Sequence, residues 1–310
     1  MHFEFEAGFI EAKLYSELGF AEYLKRFQLD IPFVNKVILK PLSFEQAKEK
    51  REKIVIIEKS CSPEILRELI DKASELANLE PVIVSFQSGV LEPSDLFLLN
   101  QFTVKWQHLC SIEKKAFGYP SAHFENVHDI LRKHLDATGN MVWTKEIQSL
   151  LAESDQLKKN LAAAAGVASE SAIAKIHKQI EDLCAEQIHT VNAELRPFSK
   201  VFCENFNKLQ RQVVLYGQCL VRCAHKLAWP EFVLEQKFLA ENIELPIIKD
   251  SCGDKYCPQS VELNDGGSVF FGSNMTGKTS LMSTLYFSLV LTKVGLPLPA
   301  SKVRLRFPSK

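Results

Sequence analysis

The chain has 310 residues, of which 46% are apolar and 24% are charged, and its formal net charge is -1. This composition is typical of a globular protein of about two domains, and a balanced charge neither favours nor excludes a nucleic-acid partner. No apolar stretch of about 18 residues occurs and the acidic N-terminus lacks a signal pattern, so a cytosolic or nuclear protein that does not enter a membrane is expected.

The first half of the sequence predicts mainly helices. Residues 1–32 predict a short helical lead-in, because their apolar residues have a mixed three-and-four spacing. Ser43 is placed to cap a helix over 44–57, with Gln46 completing a capping box, and another helix is predicted to start near Ser62–Pro63. Further helices are predicted over 93–117, 124–136, 144–162 and 170–195.

The last two of these helices are separated by small residues over 162–169, with one glycine among them. This run predicts a break and an antiparallel helical hairpin. A continuous coiled coil is the alternative, but the heptad pattern is not sustained. Pro197 indicates a kink or a boundary, and an amphipathic helix over 202–227 is predicted to end before Pro230.

The pattern changes after about residue 240, where short strands are predicted. The turn 264–267, Asn-Asp-Gly-Gly, separates two of them. A helix from Ser280 to about Val294 follows, with Gly295 suited to the position just past its end. The predicted strands cover 244–248, 260–263, 268–271 and 303–307.

Eight cysteines are scattered through the sequence without a CxxC pair. Reduced core thiols are the expected interpretation. The alternative is a zinc site built from Cys219, Cys223, Cys252 and Cys257, although these four lack the short spacing of structural zinc sites.

A glycine-rich segment with GxxxxGKT spacing lies between a predicted strand and a predicted helix. Its glycines allow backbone N–H groups to surround phosphates, and the helix adds the positive end of its dipole. Lys278 supplies a charge for the outer phosphates, and the Thr279 hydroxyl is placed to ligate Mg²⁺. A site for ATP is therefore predicted, the alternative being a glycine turn without a ligand. Its residues are Gly272, Ser273, Asn274, Met275, Thr276, Gly277, Lys278, Thr279 and Ser280.

Three segments around this loop carry a family resemblance. Residues 274–279 resemble the GPNMGGKST loop of the MutS mismatch-repair ATPases, which belong to the ABC-type class. Residues 295–300, Gly-Leu-Pro-Leu-Pro-Ala, are similar to the family's G-x-x-V-P-A, and residues 256–263 are similar to its F-V-P-N-D-x-x-L. Tyr256 then takes the place of the aromatic residue that stacks on adenine, the alternative being a strand-edge aromatic. Ser273 and Thr276 depart from the family loop.

The resemblance implies a mainly α-helical core and lever hairpin, followed by a partial α/β P-loop (ABC-type) ATPase domain. The implied domains are a core over 1–140, a lever-like hairpin without a clamp over 141–235, and the first part of the ATPase domain over 236–310. The implied function is ATP binding in DNA mismatch repair or recombination. Double-stranded DNA and a homo- or heterodimer partner are the implied partners.

Family members continue beyond the point that matches Lys310, with the Walker B aspartate, the catalytic glutamate and the signature loop. We therefore expect a truncated chain that hydrolyses ATP poorly, and whether it is an enzyme stays open. The alternative function is a non-catalytic helical interaction protein with a relic nucleotide site. An unrelated P-loop kinase or transporter subunit is disfavoured by Asn274–Met275 and Pro299–Ala300.

Overall fold

A computed structural model describes residues 1–163, 167–235, 237–264, 268–271 and 277–308, with side chains except at 160–170 and Asp254. The fold is mainly helical with two small sheets, which confirms the helical part of the expected fold class. Contacts group the residues into two compact units, described separately below. Unit 1 comprises Met1–Glu75, Ile112–Gly118 and Gln210–Lys310, and unit 2 comprises Leu76–Ser111 and Tyr119–Leu209. Such a grouping does not test the predicted domain boundaries near 140 and 235, which stay predictions.

Unit 1 begins with two parallel strands, β1 (His2–Phe5) and β2 (Lys36–Leu39). Parallel strands need a crossover connection, and two short helices supply it, α1 (Ala12–Glu17) and α2 (Phe20–Lys25). The predicted helical lead-in is therefore right for α1 and α2 and wrong for β1. Phe3 in β1 is buried and pairs with Val37, so the strand gains a partner that lies far along the sequence.

Two further helices of unit 1 follow the predicted capping signals. In α3 (Phe44–Ser60), the Ser43 hydroxyl accepts from Gln46 N–H at 3.2 Å, and the Gln46 side chain accepts from Ser43 N–H at 2.9 Å. In α4 (Pro63–Ser74), the Ser62 hydroxyl accepts from Ile65 N–H, and proline occupies the first turn. Both predicted helix starts are confirmed.

Unit 2 is built from helices, some of which extend into unit 1. Its aromatic core includes Phe124, whose ring centroid lies 4.8 Å from that of Phe202 and 5.2 Å from that of Trp106. Among the described residues no single helix is long and apolar enough to cross a membrane, and only the consecutive helices Glu80–Ser88 and Pro93–Phe117, bent by 116° between them, pass that criterion together. The helices are α5 (Glu80–Ser88), α6 (Pro93–Phe117), α7 (Glu125–His134), α8 (Lys145–Ala163), α9 (Val167–Leu195) and α10 (Ser199–His225).

The α8 and α9 helices form the predicted antiparallel hairpin. Thr144 N–H donates to the Gln187 side chain at 3.4 Å, and the Ser154 hydroxyl is 2.9 Å from His177 Nε2. From the first contact to the second, the α8 position moves forward along the sequence while the α9 position moves back, so the two helices run antiparallel and the alternative of a continuous coiled coil is wrong. Residues 164–166 of the predicted break lie outside the described residues. A 3-10 turn at Arg196–Phe198 separates α9 from α10, as Pro197 predicts.

The rest of unit 1 is a four-stranded sheet with two helices. The elements are β3 (Glu231–Phe232), β4 (Phe238–Ile243), α11 (Pro246–Cys252), β5 (Gln259–Leu263), α12 (Lys278–Lys293) and β6 (Lys302–Leu305). The strand order is β3-β6-β4-β5, with β3 parallel to β6 and the other neighbours antiparallel. The core of unit 1 joins this sheet to α2, through Ala240, Val303 and Phe20 among others.

Two strand predictions in this region are wrong. The predicted strand 244–248 contains the start of α11, because Pro246 fits the first turn of a helix, and the strand is β4 instead. Residues 268–271 are not a strand, since no described residue pairs with them, and Val269 and Phe271 are exposed. The strands predicted over 260–263 and 303–307 are confirmed as β5 and β6. Residues 265–267 of the predicted turn lie outside the described residues.

Candidate phosphate-binding site

The structure bears on only part of the predicted phosphate loop. Gly272, Ser273, Asn274, Met275 and Thr276 lie outside the described residues. The structure places four of the predicted loop residues: Gly277, Lys278, Thr279 and Ser280.

These four residues form the start of α12. Gly277 is the N-cap, with φ 81° in the left-handed region that favours glycine, and its carbonyl accepts from Leu281 N–H at 2.8 Å. Lys278 is the first helical residue and is half-buried, whereas Thr279 is exposed. The first N–H groups of a helix have no acceptor within it and carry the positive end of its dipole. This end of α12 therefore has the polarity that an anion requires.

One face of α12 carries a ladder of hydroxyl groups. Thr284 donates to the Ser280 carbonyl at 2.7 Å, Ser288 donates to that of Thr284 at 2.7 Å, and Thr292 donates to that of Ser288 at 2.8 Å. Thr284, Ser288 and Thr292 are buried. Each of these three buried hydroxyls therefore has a hydrogen-bond acceptor within α12 itself. Because the side chains are short, neighbouring groups can pack close to the helix on this face.

The other end of α12 is fixed by the segment before α3. Leu42 N–H donates to the Lys293 carbonyl at 2.8 Å. Gly295, just past the helix, has φ 67°, and a Cβ there would lie 2.8 Å from Leu42 Cδ1 and 3.1 Å from Lys50 Cδ. The prediction that Gly295 suits this position is confirmed, because both its conformation and its neighbours leave no room for a side chain.

Aromatic packing holds the middle of α12 against α2. The Phe287 ring stacks on Phe20 with centroids 4.6 Å apart, and it meets Tyr23 edge-on at 5.3 Å. All three side chains are fully buried. The Tyr23 hydroxyl donates to the Pro297 carbonyl, and burial raises the pKa of that phenol. Pro297 belongs to the 295–300 segment that carries the family resemblance, so this segment is also anchored to α2.

Tyr256, the predicted adenine-stacking residue, lies between a 3-10 turn at Gly253–Lys255 and the start of β5. Its hydroxyl accepts from Leu245 N–H at 2.9 Å, and burial raises the pKa of the phenol. One end of the half-buried ring is therefore fixed on the start of α11. Stacking on adenine and a strand-edge role both agree with this position, so the role of Tyr256 stays a prediction.

Gln259 is a candidate site residue that the sequence interpretation missed. It begins β5 and shares its half-buried face with Val261 and Leu263. A Cβ built on Gly277 would lie 3.6 Å from Gln259 Nε2, so the amide lies beside the start of α12. No described residue forms a hydrogen bond with this side chain. The alternation of β5 predicts which face Gln259 occupies, but only the fold shows that this face is next to Gly277.

The described residues contain no group of three or more histidine, cysteine, aspartate or glutamate side chains that could hold a metal ion. None of the eight cysteines forms a disulfide, and Cys219 is buried whereas Cys252 and Cys257 are exposed. The zinc alternative therefore gains no support within the described ranges. Thr279 stays the predicted Mg²⁺ ligand, and its exposed side chain lies in the first turn of α12.

A separate groove of about 460 Å³ lies at the far end of α12. Phe44, Leu234 and Phe307 line it, and the Lys293 ammonium lies 4.8 Å from the centre of the Phe307 ring. At a rise of about 1.5 Å per residue, this end is about 22 Å from Lys278. The groove is therefore not part of the predicted phosphate site.

In comparisons with known proteins, no family model matches this chain and a search of curated proteins finds no similar one.

Proposed function

We propose that this chain binds the phosphates of ATP, together with Mg²⁺, through residues 272–279. The observation that carries the proposal is the start of α12: a GxxxxGKT segment leads directly into a 16-residue helix whose N-cap is Gly277. A phosphate-binding loop requires a helix at this point, because the helix N-terminus supplies N–H donors and positive potential. Lys278 then neutralises phosphate charge, and Thr279 supplies a hydroxyl to Mg²⁺.

We further propose that the protein is MutS-like and acts in DNA mismatch repair or recombination. The support is the resemblance of three segments, 256–263, 274–279 and 295–300. Their described parts all belong to unit 1, in β5, at the start of α12 and just after α12. In this proposal β5, the glycine-rich loop and α12 belong to a partial P-loop ATPase domain, and residues 141–235 form the lever.

The substitution Lys278→Ala tests nucleotide binding directly. We expect it to weaken binding of a non-hydrolysable ATP analogue with Mg²⁺ by about 10- to 150-fold, because a hydrogen bond to a charged group contributes about 1.5–3 kcal/mol. Titration calorimetry measures this affinity. The matched control is Lys13→Ala, which removes a lysine whose side chain is 81% exposed in α1 and should leave the affinity unchanged.

Equal affinities for the wild type and Lys278→Ala would refute the proposed phosphate site. If neither protein binds the analogue while both retain the same helical circular dichroism, the alternative function is favoured. The chain would then be a helical interaction protein with a relic nucleotide site.

The DNA part of the proposal predicts weak duplex binding that does not distinguish mismatches. A net charge of -1 provides no large basic excess, so we expect an affinity in the non-specific range of about 1–100 μM at physiological salt. Fluorescence anisotropy at 50 and 200 mM salt, with matched and mismatched duplexes, measures it. Affinity should fall with salt and be equal for the two duplexes, and a clear mismatch preference would contradict the prediction.

A further inference from the structure

We propose that the groove at the far end of α12 binds a small aromatic anion, a ring system that carries a carboxylate or a phosphate group. The groove has a volume of about 460 Å³, within the range of about 300–1,000 Å³ that is usual for small-molecule sites. Its described lining residues all belong to unit 1. The inference goes beyond ATP binding and does not depend on it, because this groove and Lys278 lie at opposite ends of α12.

The walls of the groove are built from the ends of four secondary-structure elements. Phe44 begins α3, Lys293 ends α12, Val233 follows β3 directly, and Phe307 lies just beyond β6. Val233 is itself fixed, because its N–H donates to the Leu305 carbonyl of β6 at 3.1 Å. A site that is already formed in this way loses little entropy when a ligand binds.

The apolar wall is aromatic, and part of it is open to solvent. The Phe44 and Phe307 ring centroids are 5.9 Å apart, and the Phe232 ring supports Phe307 edge-on at 5.3 Å. Phe44 is 40% exposed and Leu234 is 91% exposed. An aromatic ligand would therefore pack against fixed rings, which favour aromatic partners beyond the area they bury, and would cover Leu234.

Both charged side chains among the described lining residues are positive. Lys293 Nζ donates to the Pro308 carbonyl at 2.8 Å, which holds the ammonium in place and leaves N–H donors for a ligand. The exposed Arg306 guanidinium forms no hydrogen bond or ion pair with any residue in the described ranges. The groove thus presents two cations beside an aromatic wall.

The balance of charge around the groove favours an anion. Glu45 and Glu235 are next to lining residues in the sequence, but they do not line the groove. The carbonyl end of α12 carries about half a negative charge, and its Lys293 carbonyl already accepts from Leu42 N–H. Two full positive charges outweigh this half charge. Carboxylate and phosphate oxygens both accept hydrogen bonds from such donors, so the test compares the two groups.

The first part of the test uses ligands that share one ring system and differ in charge. Naphthoate carries a carboxylate, naphthyl phosphate carries a phosphate, and naphthamide has the shape of naphthoate without its charge. Titration calorimetry with the full chain measures the affinity for each ligand. We expect at least one of the two anions to bind about tenfold more tightly than naphthamide, because the neutral ligand lacks a hydrogen bond to a charged group.

The second part uses two substitutions of exposed lining residues. Arg306→Gln removes one positive charge, and Leu234→Ala shortens the apolar wall. The control for the charge is Arg304→Gln, at an exposed arginine that pairs with Glu231 and does not line the groove. The control for the apolar wall is Val84→Ala, at a valine in α5 that is 70% exposed. Because all four side chains are exposed, these substitutions leave the core unchanged.

Each substitution has its own expected pattern across the ligands. Arg306→Gln should weaken binding of the anion by about threefold, as for an exposed charge pair, and leave naphthamide binding unchanged. Leu234→Ala should weaken the binding of charged and neutral ligands by the same factor, about fivefold. Both control variants should match the wild type.

Three results would overturn the inference. If the wild type binds none of the three ligands, the groove is not a site for this class of molecule. If naphthamide binds as tightly as the anions, the two cations take no part. If Arg306→Gln and Leu234→Ala both bind as the wild type does, the ligand occupies another surface. Lys278→Ala should keep the affinity for the aromatic anion, so failure of this inference is distinguishable from failure of the proposed ATP site.

Discussion

Replacing Phe287 with alanine is expected to lower the free energy of unfolding by about 3–5 kcal/mol. The ring is fully buried, and it contacts Phe20 at 4.6 Å and Tyr23 at 5.3 Å between centroids. Its removal would leave a cavity between α12 and α2, which rigid neighbouring aromatic rings cannot fill by small movements. Urea denaturation followed by circular dichroism measures the change.

The matched control is the same substitution at an exposed phenylalanine. Phe271 is 90% exposed, so Phe271→Ala should change the free energy of unfolding by less than about 0.5 kcal/mol. Similar losses for the two variants would show that Phe287 is not the residue that joins α12 to α2.

The second large effect is expected for Gly19→Ala. Gly19 is the N-cap of α2 with φ 68°, and a Cβ there would lie 2.7 Å from Ile247 Cβ in α11. The left-handed conformation costs about 1–2 kcal/mol for a non-glycine residue, and forcing the added methyl group against Ile247 costs about 1–3 kcal/mol more. A loss of about 3 kcal/mol in the free energy of unfolding follows, measured by the same denaturation experiment.

Gly8 provides the control for this prediction. It also has a left-handed conformation, with φ 81°, but nothing lies within 4 Å of a Cβ at that position. Gly8→Ala should therefore show the conformational cost alone, about 1–2 kcal/mol. Equal losses at Gly8 and Gly19 would mean that the contact with Ile247 contributes nothing.

Local signals in the sequence were sufficient for most helices. The capping box of Ser43 and Gln46 depends on residues three positions apart, so it can be recognised without knowledge of the fold. The hairpin of α8 and α9 follows from helical periodicity on both sides of a run of small residues. Gly295 is equally local, since only the end of one helix is needed to predict a left-handed glycine there.

The strands were harder because each depends on a distant partner. Phe3-Glu4-Phe5-Glu6 alternates as a half-buried strand does, but β1 forms only because Lys36–Leu39 lies beside it. The opposite error occurred at 268–271, where apolar residues predict a strand and no described strand pairs with them. An apolar run alone does not show whether another strand is available to form backbone hydrogen bonds with it.

The residues of the candidate site also fall into two groups, those that a local sequence pattern predicts and those that depend on the fold. The start of α12 at Gly277 and Lys278 follows from the spacing of the glycine-rich segment, which is a local pattern. Gln259 belongs to another element, and its closeness to Gly277 depends on how β5 and α12 pack. Side chains that reach a site from a neighbouring strand are therefore the ones that a motif search leaves out.

The assembly of unit 1 from distant segments has a consequence during protein synthesis. Unit 2 is complete once Leu209 has left the ribosome, whereas unit 1 needs β4, β5, α12 and β6 from the last part of the sequence. Phe20 and Tyr23 are made early, and their partner Phe287 is made late. The aromatic surface of Phe20 and Tyr23 therefore lacks its partner Phe287 while most of the chain is translated. During that time the exposed surface is a natural substrate for chaperones.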